Sequence, residues 1–67
     1  MKLKEYLHQY VRITNDEGYF FDGYVAEFFR GENNEDGIDS IGVSKDAEHR
    51  GGIEISENHI VSIQIIK

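Results

Sequence analysis

The chain has no cysteine and no proline, and its cations are scarce through the middle. Without cysteine, disulfides and thiolate metal sites are excluded. Without proline, low-complexity tracts or internal repeats there is no linker, so residues 1–67 read as one domain. No apolar run approaches the roughly 18 residues of a membrane-spanning helix. No charged-then-apolar leader precedes a cleavage site. These absences predict a soluble, cytoplasmic protein with no membrane partner. A chain of 67 residues also lacks the bulk for a large core. It buries only roughly 60% of its unfolded surface. With disulfides excluded, self-association is the expected source of further burial.

The charge is unevenly spread. Residues 16–57 hold twelve acids against Arg30, Lys45 and Arg50, a net of −9, while the flanks hold Lys2, Lys4, Arg12 and Lys67 against Glu5, a net of +3. Nucleic acid is bound by cations that neutralise phosphate, so the acidic middle repels it. Any contact with RNA is expected at Lys2, Lys4 and Arg12, where a weak patch would gain strength by repetition around an oligomer. The alternative is that these cations only keep the first segment soluble.

What the chain has in plenty is aromatic side chains in one place. Residues 17–29, EGYFFDGYVAEFF, contain six of the eight aromatics, with Gly23 among them. A base-stacking platform needs cations between its rings, and the neighbours here are Glu17, Asp22 and Glu27, with only Arg30 nearby. A long strand that bends, or that another backbone approaches closely at Gly23, explains the segment better. Strict alternation puts Tyr19, Phe21, Gly23, Val25 and Glu27 on one face and Phe20, Asp22, Tyr24, Ala26 and Phe28 on the other.

Around this strand the periodicity predicts a short helix and four more strands. Leu3, Tyr6, Leu7 and Tyr10 have helical spacing over about residues 2–9. Val11 and Ile13 alternate with polar neighbours, and Asn15-Asp16-Glu17-Gly18 forms the hairpin turn. Further strands are expected at residues 38–45, 52–56 and 59–67, separated by polar loops at 30–37 and 45–52 and a tight Ser56-Glu57-Asn58 connection. In the last strand, alternation sets Ile60, Ser62, Gln64 and Ile66 against Val61, Ile63 and Ile65, so both faces are apolar and need cover.

This arrangement resembles the Sm-like (LSM-type) small β-barrel, in a divergent bacterial-type form. Val11-x-Ile13 followed by Glu17-Gly18 and Gly23-x-Val25 is similar to the first Sm motif, and Ile53-Glu54-Ile55 followed by Ile60-Val61-x-Ile63 to the second. The resemblance implies a mainly β fold, a short N-terminal helix and a five-stranded, strongly bent antiparallel barrel. It implies a ring of copies in which the fifth strand of one pairs with the fourth of the next. The interface would use Gly52, Ile53, Ile55, Ile60, Val61, Ile63, Ile65 and Ile66. In that family a loop before the third strand reads single-stranded RNA through an acid, a stacking residue and an asparagine. Asp36, Ile38 and Ser40 fall at those positions, and Ser56-Glu57 replaces the family's arginine-glycine pair.

Other chemistry is poorly provided for. Glu32 to Gly37 imitates the start of a calcium loop, but Asp39 and Val43 stand where an apolar residue and the closing glutamate belong. His8, His49 and His59 lack metal-ligand spacing. No serine sits in a nucleophile elbow, and no glycine-rich loop leads into a helix. The expectation is a non-enzymatic module without metal or cofactor. Its partners are its own copies and either single-stranded RNA or, with the RNA site lost, a basic protein held by a homo-oligomeric scaffold.

Overall fold

The computed structural model describes residues 2–48 and 51–67. Five strands, β1 (Tyr10–Asn15), β2 (Phe20–Phe29), β3 (Ser40–Ser44), β4 (Ile53–Ser56) and β5 (Ile60–Ile65), form one sheet in the order β4-β3-β2-β1-β5. Every neighbouring pair is antiparallel. The sheet is open among the described residues: β4 and β5 are its two edges. No helix among the described residues is long and apolar enough to cross a membrane.

The core is one face of this sheet. Val11, Ile13, Val25, Ile41, Val43 and Ile60 are buried with Leu3, which caps them from the N-terminal segment. That segment forms a single 3-10 turn, Leu3–Tyr6, rather than a helix to residue 9. The cause lies in the ladder. His8 N–H donates to the Val25 carbonyl at 2.7 Å, and Val25 N–H donates to the Gln9 carbonyl at 3.0 Å. The chain is thus captured by β2 before the helix can continue, with His8 in a left-handed conformation at φ 66°. Leu3, Tyr6 and Leu7 still meet the core, as their spacing predicted. Tyr10 instead enters β1, where it pairs with Tyr24 on the outer face, ring centroids 5.1 Å apart.

Two bulges break the expected alternation. Val25 pairs with Val43 and Glu27 with Gly42, leaving Ala26 as an extra residue in β2. The face reading therefore inverts beyond Ala26: Phe28 joins the core beside Ile41, and Glu27 and Phe29 turn outward. Likewise Asn15 pairs with Ile60 and Thr14 with Ser62, so Val61 is extra in β5. Ile60 then shares the core side with Ile63 and Ile65, where unbroken alternation had opposed them. Bulges raise the local twist and bend the strand that carries them. In a single sheet they curl the apolar face inward.

Gly23 marks a close approach. A Cβ there would stand 2.5 Å from Val43 Cγ1 and 2.9 Å from the Ser44 carbonyl oxygen. The register change lies at Ala26, three residues on, so Gly23 admits the neighbouring strand and Ala26 shifts the ladder. Gly23→Val is expected to cost about 2–3 kcal/mol through overpacking, or roughly 10–20 °C in melting temperature for a domain of this size. Thermal unfolding followed by circular dichroism checks this. A melting point unchanged from the parent would refute the close-approach reading.

Candidate functional site

Of the cations nominated from the sequence, Lys2 and Lys4 are brought together and Arg12 is not. Lys2 and Lys4 line an open cleft of 560 Å³ beside the N-terminal turn, and the third cation there is Arg30, with Phe28 and Leu3 in the wall. Glu5, Glu32 and Asp39 line the same cleft, and Arg30 Nη1 lies 3.4 Å from Glu32 Oε1. Arg12 does not border it. Its guanidinium grips Asp22 across the β1–β2 pair, with Nε at 2.7 Å from Oδ1 and Nη2 at 3.0 Å from Oδ2. The same group lies 5.0 Å from the Phe20 ring centroid. Register dictates the pair, because Arg12 and Asp22 are directly opposed.

The loop positions nominated for RNA are occupied by the loop's own hydrogen bonds. Asp36 Oδ1 accepts from Ile38 N–H at 3.0 Å, a turn-forming bond typical of aspartate. Asn34 Nδ2 donates to the Ile38 carbonyl at 2.7 Å and to Ser40 Oγ at 3.3 Å. Ser40 is fully buried and donates from Oγ to Glu54 Oε2 at 2.7 Å. Asp39 Oδ1 accepts from Gly31 N–H at 2.7 Å, which ties the loop's two ends together. Asp36 and Ile38 thus serve the turn, and Ser40 links β3 to β4. The sequence signal for this is the density of Asn and Asp around Gly37, which marks turn chemistry as readily as ligand chemistry.

The nominated interface residues divide between the two sheet edges. Ile53 and Ile55 stand on the core side of β4, opposite Val43 and Ile41. Ile63 and Ile65 stand on the core side of β5, opposite Ile13 and Val11. Ile60 is buried, whereas Ile53 is 54% exposed, Val61 65% and Ile65 53%, with Ile66 also exposed. Gly52 leads into β4 with φ 140°, and its backbone lies so close to the Val43 carbonyl that a side chain would collide there.

Among the described residues, no three His, Cys, Asp or Glu side chains gather as a metal site requires. His59 Nδ1 lies 2.9 Å from Asp16 Oδ2, and the Asp16 N–H donates to the His59 carbonyl at 3.0 Å. This clasp fastens the β1–β2 turn to the start of β5, a link that nothing in local spacing announces. His49 lies outside the described residues. No protein-family model, curated protein or solved structure matches the chain.

Hydrogen bonding from Arg12 holds Asp22 below the ordinary aspartate range, and His59 does the same for Asp16. A carboxylate with a depressed folded-state pKa adds stability that is complete above its unfolded-state value. That stability is lost as pH falls through the folded-state value. Melting temperature is therefore expected to decline as pH drops below about 4, and Asp22→Asn to lessen the decline. Both pairs are about half exposed, so the effect is modest. Equal acid sensitivity in Asp22→Asn and parent, read from melts on either side of about pH 4, would remove the Arg12 pair as a source.

Proposed function

We propose that the chain is a non-enzymatic, self-assembling module of Sm-like type, a bent five-stranded barrel completed by pairing β4 of one copy with β5 of the next. It acts as a homo-oligomeric protein-interaction scaffold from which the RNA-reading loop has been lost. The observation that carries this is the pair of unlike, apolar sheet edges: Ile53 at one end and Val61 and Ile65 at the other are more than half exposed. Bare edges of this kind are pairing templates. Full burial of one such side chain contributes roughly 1.5–3 kcal/mol, a large gain for a domain with so small a core. An edge that meets an unlike edge is a heterologous contact, which closes into rings or runs on as filaments.

The loss of RNA reading is supported by Ser40, which is enclosed and engaged by Glu54 where a base edge would need a free donor. A second reading, RNA along the N-terminal cleft, is favoured by the convergence of Lys2, Lys4 and Arg30 beside Phe28.

Complementation separates the assembly reading from its rivals. Ile53→Lys spoils β4 only, and the double change Val61→Lys with Ile65→Lys spoils β5 only. Each variant alone is expected to sediment as a monomer, and their mixture as a one-to-one dimer that grows no further. If either variant alone assembles like the parent, the unlike-edge contact is wrong. For the second reading, fluorescence anisotropy with short oligo-uridine and oligo-adenine at low salt is the measurement. The scaffold reading expects no binding. Tight binding that Lys2→Glu with Lys4→Glu abolishes would replace it with the RNA reading.

A further inference from the structure

We infer that the outer face of the sheet carries a distinct site, a cleft that receives the guanidinium of an arginine presented by a partner polypeptide. This goes beyond the assembly reading, since every lining residue comes from one protomer. It also gives the scaffold a partner chemistry. The cleft encloses 460 Å³ between β2, β3, β4 and the segment after β3. Its floor is Gly42. A Cβ at that position would lie 3.5 Å from Glu27 Cβ and 3.6 Å from Phe29 Cε2, so the glycine leaves a methyl-sized recess beside an aromatic ring.

The register sets the charge around this recess. Glu27 and Glu54 pair with Gly42 from opposite sides, and all three share one face. Their Cα atoms stand about 10 Å apart, two strand spacings, which lets two glutamate arms meet one planar cation between them. The Glu54 carboxylate is held before any ligand arrives. Its Oε2 accepts from the fully buried Ser40 Oγ, which is in turn steadied by Asn34 Nδ2. A group fixed in advance loses little rotamer freedom on binding. Among the described residues that line the cleft there is no lysine or arginine to neutralise either acid.

These features select among cations. Calcium takes more oxygen ligands than two separated carboxylates supply, and no third acid or histidine gathers with them among the described residues. An ammonium is compact and strongly hydrated. A guanidinium is planar and weakly hydrated, pairs edge-on with carboxylates and lies against aromatic rings. Phe29 beside Gly42 suits the flat group, and Ala47 and Gly52 add small uncharged residues to the same lining. The overall charge of −6 draws a basic partner to this surface.

The probe is a blocked Gly-Arg-Gly tripeptide, with citrulline in place of arginine as the uncharged isostere, titrated against amide-labelled protein by NMR. The arginine peptide is expected to shift the amides of Phe29, Gly42 and Glu54, and the citrulline peptide to leave them in place. Glu54→Gln is expected to weaken binding about tenfold, the loss of one charge-assisted contact. Gly42→Ala, whose methyl would make ordinary contacts and so keep the fold, should weaken binding by blocking the floor. Equal response to citrulline, unchanged affinity in Glu54→Gln, or spermidine outcompeting the peptide would each overturn the proposal. Sedimentation of the same samples reads assembly separately, so failure of one reading is not failure of the other.

Discussion

A single sheet has two faces and two edges, and this chain has material to cover only one face. Leu3, Tyr6 and Leu7 are the hydrophobic side chains from outside the strands that pack in or against the core among the described residues. Everything else that shields Val11, Ile13, Val25 and Ile41 comes from the sheet folding over on itself. The bulges at Ala26 and Val61 and the close approach at Gly23 are the devices that bend it. The sheet ends at β4 and β5. The apolar stripe therefore emerges at Ile53 on one side and Ile65 on the other, and the two ends have the same physical origin. They are the two margins of one core.

The sequence was legible where local period and tertiary fold agree. Val11 and Ile13 were readable as one apolar face, and the hairpin at Asn15 to Gly18 followed from turn chemistry. It was misleading where the ladder inserted a residue. Alternation carries no mark of a bulge, so Phe28 was placed on the face away from Val25, and Ile60 was set opposite Ile63, whose side it shares. The N-terminal helix failed for a related reason. Its spacing was sound for Leu3, Tyr6 and Leu7, but hydrogen bonds between residues 8–9 and Val25 competed with further turns and won. Each error is a tertiary contact overriding a local preference.

The candidate sites show the same division. Clustered acids and asparagines at residues 32–39 were visible, yet their use was not. Asp36, Asp39 and Asn34 spend their polar atoms on the loop's own backbone, and the buried Ser40 hydroxyl faces Glu54 from a strand fourteen residues away. Only register reveals that Arg12 is taken by Asp22 while Arg30 stands with Lys2 and Lys4. Charge asymmetry along the chain set an acidic middle apart from basic flanks. It could not say which cations would be neighbours.

The two proposals meet on β4. Four residues long, it alternates Ile53 and Ile55 toward the core side with Glu54 and Ser56 toward the outer face. The isoleucines are what a second copy would cover, and the glutamate is what a guanidinium would meet. Ser40 couples these roles, because its hydroxyl fixes Glu54 across the same β3–β4 pair that holds Ile55 against Ile41. A neighbour's β5 laid along this edge would reduce fraying of β4, and fraying is what would most readily disturb the Ser40–Glu54 bond. Assembly would then steady a carboxylate that the protomer already aims, without contributing a residue to the cleft. Coupling of this kind needs no change of shape, only the loss of motion in one short strand.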